Sequence, residues 1–344
     1  MTAHPAIHRR SNARRTADER VADVRRAFEE AGIEGPDTFI VGAPKCGTTS
    51  LNASLAAHPD VFMARKESHY FGADFDRTRI VPEGYAQLFA AGSAAERRGE
   101  ASVWYLASRS APEEIHAFAP DARIFIMLRD PVEMIRSLHG QLMKTGVEHI
   151  TDLRAAIAAE PERREGRMIK GAERYRFREQ FLYTDAVDYV PQVTRYFEVF
   201  GRDRVQVILF DDLRNDPGKV MRDAQAFLGV RVDPDLSLLH ENPAGAVRSI
   251  GAQRVLRRYV VRPMRRLTRS RRVAAKVLPA KVRQRMRPAA LQSVNRRPSD
   301  TTPPMDPELR LELASRFRPG VLELQDLLGR DLSSWTPLTE QGAR

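Results

Sequence analysis

The most constraining feature of the sequence is the run Thr38-Phe-Ile-Val-Gly-Ala-Pro-Lys-Cys-Gly-Thr-Thr-Ser-Leu51, where a short apolar stretch breaks into a glycine-bounded loop and then a helix-forming segment. An apolar run too short for a buried helix and without alternation reads as a strand covered on both faces, here residues 38–41, with a helix over 48–57. The same order recurs at residues 123–129, where Asp130 suits an N-cap and Pro131 the first position of a helix reaching residue 144. A third buried strand, 205–210, follows an amphipathic helix expected over 185–200 and precedes a helical stretch ending at Phe227, Leu228 and Gly229. Strands alternating with helices predict an α/β three-layer sandwich around a mainly parallel sheet, because parallel neighbours need crossover connections. Ligands of such sheets bind where strands end, so the loops after Val41, Leu128 and Phe210 should line one crevice.

The loop from Gly42 to Gly47 is built for an anion. Glycines let the backbone approach an oxyanion, successive N–H groups form a concave donor array, and the following helix adds its dipole at the same point. The candidate contacts are Pro44, Lys45, Cys46, Gly47, Thr48, Thr49 and Ser50. The spacing Gly42-x4-Gly47 imitates the phosphate loop of nucleoside triphosphatases, which places lysine directly after the second glycine. Here Thr48 stands there and the lysine is Lys45, inside the loop. Cys46 lies where a helix N-terminus would stabilise a thiolate, but it reads better as a small packing residue.

At Pro44-Lys-Cys-Gly-Thr-Thr-Ser-Leu51 the sequence resembles the sulfotransferases that use 3′-phosphoadenosine 5′-phosphosulfate (PAPS), whose 5′-phosphosulfate loop reads P-K-x-G-T-T-x-L. Their second element, a strand ending in Arg, then D-P and a Ser eight residues on, is matched by Arg129, Asp130, Pro131 and Ser137. The resemblance implies that Arg129 and Ser137 hold the 3′-phosphate, by the charge-assisted bonds a guanidinium makes well. Lys66-Glu67-Ser-His69-Tyr-Phe71 is similar to the K-E-x-H-F-F segment of the heparan-type and carbohydrate members and their bacterial relatives, in which the glutamate is the general base. Sulfuryl transfer needs a base for the acceptor's proton and cations at the sulfuryl and bridging oxygens. Glu67, Lys45 and Lys66 would supply these, with His69 orienting the base or bonding the acceptor. Glu100-Ala-Ser-Val-Trp-Tyr105 resembles the family's E-K-S/T-P-x-Y segment, with Ala101 in place of its lysine and Trp104 and Tyr105 as either a stacking surface or core. Tyr183 and the strand and Asp-Pro elements that follow resemble later family segments; Tyr183 is carried as a cofactor contact and Arg248 as a second 3′-phosphate contact. The resemblance covers residues 37–248 and implies a topology like that of the P-loop nucleoside triphosphatases. It also implies PAPS as donor, 3′-phosphoadenosine 5′-phosphate (PAP) as product, no metal, and a small-molecule or saccharide acceptor.

The charge of this 344-residue chain is uneven. Residues 248–297 hold 17 Lys+Arg and no Asp or Glu, leaving 39 basic against 45 acidic residues elsewhere, so the formal net charge of +11 describes one segment. That segment reads as a basic helical lid or arm, either solvated or in peripheral contact with an anionic membrane or polymeric acceptor. Nucleic acid is disfavoured, because no aromatic platform interleaves the arginines. The expected organisation is an N-terminal arm and short helix over 1–36, with Val21, Val24 and Phe28 at helical spacing and Gly32 as the stop. The α/β core follows over 37–247, the basic segment over 248–300, and C-terminal helices packing back on the core over 301–344.

One cysteine, no secretory signal core and no membrane-length apolar run point to a cytoplasmic protein, with attachment to the inner face of the membrane as the alternative. Zinc spacing, a G-x-S-x-G elbow and a G-x-G-x-x-G loop are all missing from the sequence. The rival readings are a P-loop kinase with a displaced lysine, which would need ATP and Mg²⁺, and a basic surface-binding module that only retains a nucleotide fold.

Overall fold

The computed structural model describes residues 16–64, 67–75, 80–169, 178–239 and 305–336. Its regular elements in chain order are α1 (Ala17–Ala31), β1 (Thr38–Gly42), α2 (Thr48–Leu55), β2 (Val61–Met63), α3 (Pro82–Ala86), β3 (Arg97–Ala101), α4 (Ala111–Phe118), β4 (Arg123–Leu128), α5 (Pro131–Lys144), α6 (Leu153–Ala158), α7 (Glu160–Arg164), α8 (Tyr183–Ala186), α9 (Tyr189–Phe200), β5 (Val205–Leu209), α10 (Phe210–Asn215), α11 (Pro217–Leu228) and α12 (Pro307–Leu328).

All five residues of β1 are buried, and the strand is flanked on both edges by parallel partners. Thr38 and Phe39 face Gly99 and Glu100 of β3 on one side and Arg123 and Ile124 of β4 on the other. The sheet order is β2-β3-β1-β4-β5, with every pairing parallel. From β1 the chain turns toward the β2 edge, and from β4 it turns toward the β5 edge. The loops leaving the carboxyl ends of β1 and β4 therefore splay apart and open a crevice between them. Helices α2 and α11 pack together against the sheet, α1, α4 and α9 form a second layer, and α12 lies on α9 and α5.

Local chemistry accounts for the element ends. A capping box between Thr16 and Glu19 starts α1, and Gly32 ends it in the left-handed region at φ 61°. Asp130 caps α5 through Val132 N–H and Glu133 N–H, with Pro131 in the first turn. One expectation is corrected. The helix anticipated over 185–200 is two helices, α8 and α9, separated at Val187 and Asp188. Pro191 has no N–H for the carbonyl of Val187 and clashes with it, so α9 can begin only at Tyr189.

The apolar series in the tail forms α12, which docks Leu309, Leu313 and Ala314 against Val132 at the start of α5, and Val321 and Leu324 in the main core. Beyond it Trp335 donates from Nε1 to Asp211 at 2.8 Å and Arg330 pairs with Asp212 at 2.8 Å, fixing the stretch after α12 on α10. The basic segment 248–297 and the terminal residues 1–15 lie outside the described residues. Truncating Leu313, which is 1% exposed, to Ala should cost about 2–5 kcal/mol of stability through the cavity it leaves, measured by urea unfolding.

Candidate active site

The anion loop leaves β1 beside the end of β4, where Ala43 N–H donates to the carbonyl of Met127 at 2.7 Å. Close approach explains both of its glycines. A Cβ on Gly42 would sit 2.6 Å from the carbonyl oxygen of Val103, and one on Gly47 would sit 2.8 Å from Leu213 and 3.4 Å from Phe210. Gly47 occupies the N-cap of α2 at φ 88°, with no side-chain cap. A helix start of this kind presents N–H groups and positive potential at one point. Lys45 lies in the same loop at φ 66°.

Arg129 stands directly after β4, on the other wall of the crevice. Its Nη1 donates to the Lys45 carbonyl at 3.5 Å and its guanidinium lies 4.5 Å over the Phe210 ring. Its Nη2 approaches Glu133 Oε2 at 3.5 Å, and the same oxygen takes Arg136 Nη2 at 3.1 Å. Arg310 reaches in from α12, with Nη1 2.6 Å from Glu133 Oε1 and Nη2 3.5 Å from Asp130. Ser137 follows Glu133 by one helical turn on α5. Burial pushes the Asp130 carboxyl up to about 6, against the Val132 N–H and Arg310, which favour its charged form.

Glu67 and His69 come from the loop after β2. Glu67 N–H donates to the Ala101 carbonyl at 2.8 Å, so this loop runs alongside the end of β3. The Glu67 carboxylate and His69 Nε2 are 2.6 Å apart. Among the described residues four non-glycine positions have positive φ: Lys45, Glu67, His69 and Met168. Each costs on the order of 1 kcal/mol and persists only where surrounding structure over-determines it, so three of the four strained positions fall on proposed reacting groups.

Around His69 the over-determination comes from Glu100, a carboxylate fully buried at the end of β3. It accepts from Tyr85 at 2.7 Å, Tyr105 at 2.9 Å, Ser102 at 3.0 Å and also Ser68. Burial raises its carboxyl above the ordinary value, and these four hydroxyls oppose the rise. Ser102 Oγ in turn accepts His69 N–H at 3.0 Å, and Tyr105 Oη accepts Phe71 N–H at 3.2 Å. The hub thus pins the backbone on both sides of His69. One turn further, Glu114 accepts Gly72 N–H and Ala73 N–H and pairs with the buried Arg20, so α1 braces the same loop. Sequence reasoning missed the hub; its signal was a glutamate at the end of a buried strand, followed at short range by Ser102 and Tyr105.

One carried-over contact is corrected. Tyr183 does not face the crevice: it is fully buried, and its hydroxyl donates to Glu148 at 2.7 Å, beside the buried pair of Glu148 with Arg163 at 2.8 Å. It belongs to a polar core network, because a phenol buried there needs a partner and Glu148 provides it. The Cys46 side chain packs inside the protein, in keeping with the small packing residue the sequence suggests. It is buried and donates to the Pro44 carbonyl at 3.4 Å, and burial pushes its thiol up to about 12. Only its backbone is left to contribute to an anion site. Trp104 and Tyr105 are core residues, 7% and 1% exposed, rather than a stacking surface. Thr48, Thr49 and Ser50 form the first turn of α2 as expected. Lys66 and Arg248 lie outside the described residues.

With this geometry in view, a family model described as "Sulfotransferase domain" matches residues 35–241. Human carbohydrate sulfotransferase 15 is 37% identical over an alignment covering 30% of this chain and 26% of that protein. Human heparan sulfate glucosamine 3-O-sulfotransferase 6 is 32% identical, covering 31% of each. The chain therefore aligns with less than a third of the length of either curated relative. A crystal structure of a sulfotransferase from Alicyclobacillus acidocaldarius is similar over much more, with 30% identity, TM-score 0.63, and coverage of 89% of this chain and 100% of that one.

Two outcomes follow from these environments. At pH 8 a thiol moved from 9.0 to about 12 has on the order of a thousandfold less thiolate, so Cys46 should resist a disulfide reagent until the protein unfolds, as read by absorbance before and after denaturant. Asp130 ionises more readily unfolded, at its ordinary 3.8, than folded, at about 6, so its contribution to stability is lost as pH rises between those values. Asp130→Asn keeps a capping oxygen and removes that titration. The melting temperature of the variant relative to the wild type should rise from pH 4 to 6 and level off above.

Proposed function

The chain belongs to the sulfotransferase domain family, and from that premise we propose that it transfers the sulfuryl group of PAPS to an acceptor hydroxyl, or as the lesser alternative an amine, with Glu67 as general base. The observation that carries this reading is the meeting, at the carboxyl end of one parallel sheet, of the Lys45 loop, Arg129 and the Glu67–His69 pair. Their order follows the strands. The base lies beside β3, Lys45 follows β1 in the middle, and Arg129 ends β4, so an acceptor is activated on one side while a nucleotide anion is held on the other.

The residues fit a polyanionic donor. Gly47 starts α2 without a side-chain cap, the loop carries Lys45, and Arg129 is held within 3.5 Å of that loop. The α2 N-terminus with Thr48, Thr49 and Ser50 would hold the 5′-phosphosulfate, and Arg129 with Ser137 the 3′-phosphate. When bound, the donor supplies the sulfuryl group and a phosphate leaving group. Glu67 takes the acceptor proton, and His69, hydrogen-bonded to Glu67, fixes the carboxylate toward the acceptor. Lys45 places positive charge at the middle of the crevice, where the transition state gathers negative charge. Lys66 is retained as a second cation, and no metal is invoked for this charge work.

The acceptor class we infer is saccharide-containing, supported by the names of the two human relatives and by the K-E-x-H wording at Lys66-Glu67-Ser-His69. Among the described residues no helix is long and apolar enough to cross a membrane. For residues 248–297, which lie outside the described residues, the proposal is a basic segment whose charge attracts the anionic donor, or that contacts anionic lipid or a polymeric acceptor. The P-loop kinase reading has no support in the family match.

Calorimetric titration with PAP tests the reading. The wild type should bind without Mg²⁺ and in preference to ATP; Mg²⁺-dependent binding of ATP in preference to PAP overturns it. Arg129→Ala should weaken PAP binding by about 10–100-fold, the worth of a charge-assisted hydrogen bond. Glu67→Gln should bind PAP like the wild type and lose about 10²–10⁴-fold in turnover, as measured by PAP release with a saccharide acceptor panel.

A further inference from the structure

Glu133 occupies a place that the transfer reaction does not explain. It lies four residues beyond Arg129, which precedes α5, and one helical turn before Ser137 on α5, so it stands between the two proposed 3′-phosphate contacts. A carboxylate there repels a phosphate unless nearby cations outweigh it. Three guanidiniums surround it, and they divide its oxygens unequally. Arg136 and Arg129 share Oε2, at 3.1 and 3.5 Å, whereas Arg310 alone holds Oε1 at 2.6 Å.

That division keeps Arg129 from closing a two-oxygen fork on Glu133, the geometry a guanidinium prefers with a lone carboxylate. Arg129 instead rests over Phe210 and against the Lys45 carbonyl. Arg310 also sets the charge balance. Arg129, Arg136 and Arg310 stand against Asp130 and Glu133, one positive charge in excess when both carboxyls are ionised, and the excess vanishes without Arg310. The Arg310 and Glu133 side chains are each only 22% exposed, so solvent screens the pair weakly. Burial works against ionising Glu133, yet Arg136, Arg310 and Arg129 together hold its carboxyl below the ordinary value.

We propose that Arg310 is a positioning residue of the donor site: from the C-terminal helix it holds Glu133, and thereby keeps Arg129 directed at the 3′-phosphate. The proposal rests on the PAPS reading above. It assigns a role in the site to α12, which lies beyond the stretch matched by the family model and is seated by Leu309 and Leu313 on Val132, one residue before Glu133.

The test is PAP titration by calorimetry on the full chain for the wild type, Arg310→Met, Arg310→Lys, Glu133→Gln and the double variant Arg310→Met/Glu133→Gln, each with a melting curve. Arg310→Met should weaken PAP binding about tenfold, and Arg310→Lys, which restores charge but not the fork, about threefold. In the Glu133→Gln background the Arg310→Met loss should shrink to less than about twofold, because the carboxylate through which it acts is gone. Wild-type affinity in Arg310→Met overturns the proposal. So does a loss that persists undiminished in the Glu133→Gln background, which would make Arg310 a direct contact or a strut. If the wild type binds no PAP, the donor reading fails and this proposal with it, whereas loss of binding in Arg129→Ala alone leaves the donor reading standing and refutes the role of Arg310. Should Arg310→Met fail to fold, Arg310→Lys with its own Glu133→Gln double variant carries the test, and an unchanged affinity overturns the proposal.

Discussion

Everything in the crevice depends on the parallel pairing of β1 with β3 on one side and β4 on the other. Parallel strands end at the same side of the sheet, so the groups following each strand are delivered to a common edge without any long loop having to find them. The Lys45 loop, Arg129 and the Glu100 hub are consequences of that alignment. The chain leaves β1 toward the β2 edge and leaves β4 toward the β5 edge, so the loops after these two neighbouring strands diverge. The anion loop and Arg129 face each other across the crevice.

Alignment alone does not hold reactive groups in strained conformations. Lys45 is held by a loop whose two glycines accept contacts a Cβ would forbid. The loop of Glu67 and His69 is held at Glu67 by the Ala101 carbonyl and further on through a carboxylate it does not touch at these residues: Glu100 orients Ser102 and Tyr105, and these fix the N–H groups of His69 and Phe71. A buried carboxylate satisfied by four hydroxyls is costly to desolvate and costly to disturb, which makes it a rigid anchor for a loop of unfavourable φ. On the other wall the carboxylate is Glu133, and arginines rather than hydroxyls compensate it. The two walls thus use opposite means, neutral donors behind the loop of Glu67 and His69 and excess cations around Glu133, in keeping with the roles proposed for each side.

The loop and the strand end proposed to hold the donor could be located in the sequence because their chemistry is local. A phosphate-type loop requires glycines, a lysine and hydroxyls in consecutive order, and the strand-Arg-Asp-Pro-helix order joins a cap to a charge within a few residues, so short-range sequence records both. The segment of Glu67 and His69 was singled out by resemblance, and the structure brings the two side chains together. Tyr183 was misplaced because an aromatic with a polar tip reads the same in a crevice and in a core. The break between α8 and α9 turned on Pro191, whose effect reaches back four residues into a segment of otherwise continuous amphipathic period.

By itself the sequence determined three of the five strands, β1, β4 and β5, with their loops and the chemical types gathered at them, since apolar runs, glycines, caps and their spacings are fixed along the chain; the short β2 and the polar β3, Arg97–Ala101, carry no such run and were settled by pairing in the sheet. The order β2-β3-β1-β4-β5 was not written there, because parallel neighbours are chosen by packing between elements far apart in sequence. Nor was the joining of Arg310 to Glu133, or of Arg20 to Glu114. Ion pairs of that kind form only where two helices bring side chains from distant stretches within a few ångströms of one another, and that distance is a property of the folded chain alone.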